Sequence, residues 1–253
     1  MKLHAVEVLE RERFGDHALL RYRWTGNRPK PGQFVMARTA PAERSLDPFL
    51  SRPLFVHDYE DNVASLLFEI RGRGTALLAE DDAGLLVSAP LGRGFIVNRG
   101  GPVALVGGGV WVSPLKLLSR RLDWLGVAHD IYLEMPATAP DDYAAWISEH
   151  YAGAILVPTR GVSDASQTVL NRLGDLSRYT VIYASGPTAM LKAVQRVSAN
   201  TVPAQLALRE RMACANGSCY GCAVPVWKSG ARTYARACIE GPVFPAEVVS
   251  LSE

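Results

Sequence analysis

All four cysteines of this 253-residue chain lie in one short stretch near its end. Cys214, Cys219 and Cys222 stand four and two residues apart, and Cys238 follows alone. Three thiols crowded on one loop with a fourth at a distance is the ligand spacing of a plant-type [2Fe-2S] cluster. Four thiolates offset much of the charge of two bridged ferric ions. Asn216, Gly217 and Ser218 leave the loop free to turn backbone N–H groups toward the sulfurs, which tunes the potential. The chemistry implied is one-electron transfer. Structural zinc is the competing use, but it asks for two close Cys-x2-Cys pairs, and here one such pair exists. Buried free thiols are a third reading. A disulfide scaffold suits small secreted chains, whereas a chain of this length buries a large core without bridges.

The composition, 48% hydrophobic and 21% charged, is that of an ordinary globular protein. A net charge of +2 does not argue for nucleic acid. Glu7, Glu10, Glu12, Arg11 and Arg13 interrupt the N-terminal stretch, so no signal-peptide core is expected there, and no run of residues approaches a membrane span. A cytoplasmic protein follows as the expectation. Arginines cluster at Arg71 and Arg73, at Arg93 and Arg99, and at Arg120 and Arg121. Two of these groups adjoin glycines, so solvated faces and anion sites are both open.

Three segments must position these residues. Residues 1–98 read as short strands between turns, with Leu3 to Leu9, Ala18 to Trp24, Gln33 to Arg38, Ala64 to Ile70 and Leu85 to Ala89 as strands. Such strands remove their edges by closing into an antiparallel β-barrel or packing as a sandwich, and the barrel is the economical solution. Residues 99–204 change pattern. Val103 to Val106 is a continuous apolar run entering Gly107-Gly108-Gly109, then a helix from Pro114 to Leu125. Similar runs at Asp130 to Leu133, Ala154 to Val157 and Thr180 to Ala184, the last followed by a helix from Thr188 to Val197, predict an α/β domain with a parallel sheet. Residues 205–253 carry the cysteines, with a hairpin of Ala223 to Lys228 and Thr233 to Arg236 turning at Ser229-Gly230.

Two glycine loops invite phosphate. Gly107-Gly108-Gly109 at a strand's end admits a nucleotide or merely tight strand-to-helix packing. Arg71-Gly72-Arg73-Gly74-Thr75 combines two cations, two glycines and a hydroxyl, a composition suited to pyrophosphate or to a charged turn.

Taken together, these segments resemble the electron-transfer subunits of the heteromeric, NAD-linked (type B) dihydroorotate dehydrogenases, within the ferredoxin reductase superfamily. The resemblance covers nearly the whole chain. It is carried by Ser51-Arg52-Pro53-Leu54-Phe55, Gly72-Arg73-Gly74-Thr75, Ala89-Pro90-Leu91-Gly92-Arg93-Gly94-Phe95, Val106-Gly107-Gly108-Gly109 and Ser185-Gly186-Pro187. The stretch from Met212-Ala213-Cys214 through Gly241-Pro242-Val243-Phe244 is its most specific part. It implies an FAD-binding barrel, a nicotinamide-type α/β domain and a [2Fe-2S] module docked to an FMN-containing dihydroorotate dehydrogenase catalytic subunit in a heterotetramer. By the same resemblance Arg52, Pro53, Leu54 and Phe55, with Leu67, Phe68, Glu69, Gly74 and Thr75, contact FAD, with Arg52 on its pyrophosphate, and Cys214, Cys219, Cys222 and Cys238 hold the irons. Electrons from dihydroorotate would pass through the cluster to FAD.

The departures from the family pattern gather on the nicotinamide side. Phe55 stands in place of a serine beside the flavin, Trp111 in place of the last glycine of a Gly-Gly-Gly-x-Gly turn, and Ser185 in place of a cysteine. The family's acidic segment after the third α/β strand is replaced by Val157-Pro158-Thr159-Arg160-Gly161-Val162. An indole at position 111 takes volume that an approaching pyrophosphate needs, so NAD is expected to bind weakly or not at all in the usual pose. A shifted loop that packs Trp111 on the flavin or the adenine is the alternative. Glu69 replaces a frequent arginine, and Arg71 or Arg73 is expected to supply the missing cation.

The other polar residues point to structure. His4, His17, His57, His129 and His150 have no metal spacing, Asp81-Asp82 and Asp141-Asp142 read as turn or helix-start acids, and Trp124 and Trp146 are expected in the core. Two other functions fit less of the chain: a flavin and iron–sulfur subunit of a ferredoxin-linked transhydrogenase or sulfide dehydrogenase, and a non-redox interaction protein holding zinc. A co-purifying partner separates the first, and metal content the second.

Overall fold

The computed structural model describes residues 1–40, 46–80, 84–136, 139–158 and 165–251. Asp81, Asp82 and residues 159–162 of the replaced acidic segment lie outside them. The first part contains β1 (Leu3–Val6), β2 (Val8–Phe14), β3 (His17–Arg23), β4 (Phe34–Thr39), β5 (Arg52–Glu60), β6 (Val63–Glu69), helix α1 (Arg73–Glu80) and β7 (Leu85–Ser88). These strands form one sheet in the order β1-β7-β4-β5-β6-β3-β2, antiparallel throughout. Only Glu7 separates its two edge strands in sequence, so the sheet must curl until its ends meet. The period-2 alternation turns Leu20 and Tyr22, Val35 and Ala37, Leu54 and Val56, Leu66 and Phe68, and Leu85 and Val87 into one shared core.

Two strands escape the sequence pattern. β2 is rich in charge, and its glutamates pair with basic residues of β3 across the ladder, Arg21 with Glu10 among them. β5 is interrupted by Pro53, which sits opposite Met36 of β4. Helix α1 begins at Arg73, so Gly74 and Thr75 belong to its first turn rather than to a loop.

β5 and β6 pair only from Val56 to Glu60 and from Val63 to Leu66. Past the irregularity between Val56 and Asp58 the two strands part. Arg52 to Phe55 then pairs with β4, and Leu67 to Glu69 with β3. A slot opens between them.

The second part holds β8 (Val103–Gly108), a 3-10 turn (Gly109–Val112), α2 (Leu115–Leu125), β9 (His129–Met135), α3 (Asp141–His150), β10 (Ile155–Pro158), α4 (Ala165–Leu173), β11 (Val181–Ser185), α5 (Thr188–Ser198) and β12 (Ala204–Ala207). Asp141 and Asp142 do start a helix, where carboxylates favour the dipole. Gly107 and Gly108 close the strand itself, and only Gly109 begins the turn. The two glycines are needed for packing: a Cβ at Gly107 would stand 2.7 Å from Leu115 Cδ1, and one at Gly108 2.9 Å from Met190 Cε.

The last part contributes the hairpin β13 (Ala223–Lys228) and β14 (Ala231–Arg236), then β15 (Val243–Pro245). Ser229 and Gly230 have φ of 51° and 78°, the two left-handed residues of a tight hairpin turn. The second sheet runs β10-β9-β8-β11-β12-β15, parallel except for β15. The sequence pattern does not reveal β12 and β15, two short strands at one end of the sheet, of which β15 is the edge. Chain order reverses between β8 and β11, which places the sheet's ligand crevice at the carboxyl ends of those strands.

Helix α2 packs against β5 and ties the two sheets together. Arg120 reaches Asp58 at 3.2 Å and also pairs with Glu60. The buried His57 imidazole lies with Nδ1 3.0 Å from the carbonyl of Ser113, which only an N–H donor satisfies. Trp146 is buried as expected, but Trp124 is 73% exposed, with Arg121 over its ring at 4.3 Å. Among the described residues no helix is long and apolar enough to cross a membrane.

Candidate functional site

The hairpin brings two cysteines together. Cys222 immediately precedes β13, Cys238 follows β14 by two residues, and the Ala237 N–H donates to the Cys222 carbonyl at 3.0 Å. Facing them, the loop from Cys214 to Cys222 folds tightly because Ala215, Gly217 and Tyr220 adopt φ of 51°, 83° and 56°. That folding aims N–H groups at sulfur: Cys219 N–H donates to Cys214 Sγ and Gly221 N–H to Cys219 Sγ, both at 3.4 Å. Backbone donation from Asn216, with help from Cys219, pulls the Cys214 thiol down to about 5. Burial, together with the neighbouring Cys222 thiol, pushes Cys238 up to about 12. A side chain at Gly217 has no room, since a Cβ would stand 2.6 Å from Ile239 Cδ1.

Arg236 organises this loop. It donates to the Gly217 carbonyl at 3.2 Å and to Glu240 at 3.1 Å, and its guanidinium covers the Tyr220 ring at 5.0 Å. Cys222 and Cys238 are buried, Cys214 half-buried and Cys219 exposed, so one edge of the thiol set faces outward. Among the described residues no three His, Cys, Asp or Glu side chains are arranged to hold a metal ion as they stand. Two irons ask instead for two thiolates each, with N–H groups on the sulfurs, and the donor set fits that demand.

The slot between β5 and β6 opens into a cleft. Its barrel wall is Phe34, Pro53, Leu54, Phe55, Leu67 and Phe68. The opposite wall comes from the turn after β8, as Val110, Trp111 and Ser113, and from the segment after β12, as Leu208, Arg209, Glu210 and Met212. The cleft is mostly apolar, and the buried Ser113 hydroxyl on its lining has no hydrogen-bond partner among the described residues. A planar ring with a few polar edge atoms, such as the flavin of FAD, fits this lining.

The anion end lies at α1. Gly74 is buried beneath the Arg52 guanidinium, which also donates to the Leu50 carbonyl, and a Cβ at Gly74 would strike that guanidinium. The Thr75 hydroxyl accepts from the Arg71 and Gly72 N–H groups at 2.9 and 3.2 Å. It shapes the loop and leaves the first N–H groups of α1 to a ligand. A fixed guanidinium beside a helix N-terminus suits a pyrophosphate. The two candidate replacements for a cation at Glu69 both stand in ion pairs. Arg71 pairs with Glu69 itself at 2.7 Å and Arg73 with Asp47 at 3.1 Å, both on exposed side chains.

Phe34, Val110, Ser113, Leu208, Glu210, Met212 and Pro242 line the cleft although nothing in the sequence marks them as flavin contacts. Arg209 turns into the cleft, where its guanidinium lies 5.1 Å from the Trp111 ring centre and burial lowers its pKa. The nearness of residues 208–212 to Cys214 in the chain is the one sequence signal that tied them to the site. Ser185 ends β11 fully buried, its hydroxyl unpartnered among the described residues.

Residues 209–250 match the family model described as the iron–sulfur cluster binding domain of dihydroorotate dehydrogenase B. The chain is 32% identical over 235 residues, 90% of each chain, to a protein of Caldanaerobacter subterraneus subsp. tengcongensis. It is 35% identical to one of Bacillus caldolyticus, covering 88% of this chain and 87% of the relative. Both relatives carry the name dihydroorotate dehydrogenase B (NAD(+)), electron transfer subunit. Among solved structures, the NADH-dependent reduced ferredoxin-NADP oxidoreductase superposes with a TM-score of 0.78 at 25% identity, over 98% of this chain and 90% of that one. A ferredoxin NADP+ reductase from Neisseria gonorrhoeae, at 17% identity and a TM-score of 0.59 over 79% and 92%, shares the fold. With thiols and cleft arranged as described and relatives this similar along almost their full length, the chain belongs to the family of dihydroorotate dehydrogenase B electron-transfer subunits.

Proposed function

We propose that this chain relays electrons from an FMN-containing dihydroorotate dehydrogenase catalytic subunit through a [2Fe-2S] cluster to FAD, as half of a cytoplasmic heterotetramer serving pyrimidine biosynthesis. The observation that carries this reading is the path of one segment: Leu208 to Met212 lines the cleft, and two residues later the chain reaches Cys214. The cluster supplies one-electron exchange, and the flavin converts between single electrons and pairs. The protein's own part is placement. Cys214, Cys219, Cys222 and Cys238 grip the irons, Arg52 with the start of α1 holds the pyrophosphate, and the apolar walls exclude water from the ring. In this reading residues 1–98 form the flavin unit, 99–204 the nucleotide-type unit and 205–253 the cluster unit.

Anaerobic purification tests it. The chain should contain iron, acid-labile sulfide and flavin, and should co-purify with a partner that bears FMN and bleaches both centres on addition of dihydroorotate. Zinc in place of iron would overturn the reading. A second reading has one observation in its favour, the 98% coverage by an oxidoreductase structure concerned with flavin-based electron bifurcation. It predicts a partner that does not oxidise dihydroorotate.

A further inference from the structure

The turn Gly109–Val112 stands at the carboxyl end of β8, where the strand order reverses and a nucleotide would approach the flavin. This turn is held from below. The Tyr143 hydroxyl donates to the Gly109 carbonyl and the Tyr151 hydroxyl to the Val112 carbonyl, both at 3.0 Å, and Val110 and Val112 are buried. Trp111 lines the cleft together with Phe55 and its neighbours on the barrel wall. Arg209 lies over its ring and feels the charge of Glu69 and Arg71 from the barrel side. The pair therefore spans the cleft from the sheet to the connector that leads to Cys214.

Hydride exchange between a nicotinamide and a flavin moves two electrons and a proton between two stacked rings. It needs the reacting atoms about 3 to 3.5 Å apart. A second ring stacked from the sheet side would have to stand where the indole and guanidinium stand. We infer that Trp111 and Arg209 form a fixed wall over the sheet-facing side of the flavin, which closes it to nicotinamide while leaving its barrel edge and the cluster in electronic contact. The inference rests on the proposed flavin site.

The test uses the purified chain with its iron and flavin content measured first, so that loss of flavin indicts the proposed function and not the wall. Anaerobic titration of wild type with NADH should leave the flavin absorption unchanged at micromolar concentrations, while dithionite bleaches it fully. Flavin fluorescence should be quenched by the stacked indole. Trp111→Gly should raise that fluorescence several-fold and tighten NADH binding at least about tenfold, equivalent to about 1.4 kcal/mol. Arg209→Ala, which frees the indole without touching the turn, should move both readouts in the same direction and serves if the glycine variant does not fold. Stoichiometric bleaching of wild type at micromolar NADH would overturn the wall, as would variants with unchanged fluorescence and NADH affinity.

Discussion

At the scale of single residues, the site separates groups that hold charge from groups that shape space. Arg52 lies over Gly74 at the start of α1, where the proposed reading puts the pyrophosphate. Charge-assisted hydrogen bonds contribute about 1.5 to 3 kcal/mol. Arg52→Gln should therefore weaken FAD about tenfold to a hundredfold, read as the dissociation constant from recovery of free flavin fluorescence, with the iron content unchanged. Cys222 acts in the other centre. It is buried beside Cys238, and if it ligates the cluster as proposed, Cys222→Ser should abolish acid-labile sulfide while the flavin band persists. Retention of a full [2Fe-2S] spectrum in that variant would mean that the irons sit elsewhere.

At the scale of elements, function depends on strands that part and helices that bridge. β5 and β6 make a cleft because their ladder ends at Val56 and Leu66. Helix α2 holds the cleft's two walls in register through Arg120, and the turn before it through the buried His57. Burial pushes His57 down to about 3, against 6.5 for the free side chain. The unfolded chain thus binds a proton that the folded one refuses between these values, and stability falls as pH drops below 6.5. For this group alone the loss between pH 7 and pH 5 is about 2 kcal/mol. Thermal unfolding followed from pH 7 to pH 5 should show that slope, and His57→Asn, which does not titrate, should flatten it.

At the scale of the whole molecule, one connector links the cleft to the cysteine loop, and the proposed reading puts the catalytic subunit against the outer edge of that loop. Cys219 and Tyr220 are exposed, and Arg236 backs the Tyr220 ring. On the outer face of the hairpin Tyr234 and Trp227 stand 64% and 50% exposed, far more than the valines of the inner face. Aromatic residues and arginine at this density suit a protein interface. Tyr220→Glu should weaken association with the catalytic subunit at least about tenfold in analytical ultracentrifugation, while iron and flavin stay bound. Unchanged assembly would move the interface to another face.

The four cysteines were legible in the sequence as one candidate ligand set because their spacing is local: nine residues contain three of them, and the Ser229-Gly230 turn brings the fourth back. The parallel sheet was legible too, since strands buried on both faces leave continuous apolar runs such as Val103 to Val106. The cleft was legible only through resemblance, because Phe55 and Leu67 share no local pattern and line one space only where two strands separate. β2 and β5 hid behind charge and proline, whose partners come from other strands. Only the tertiary structure turned Arg209 inward and set it on Trp111, two residues almost a hundred positions apart. Covalent neighbours and periodicity determine which atoms can serve as ligands and which elements form. Which side chains face each other across a cleft depends on where separate elements come to rest, and that is decided by packing of the whole chain.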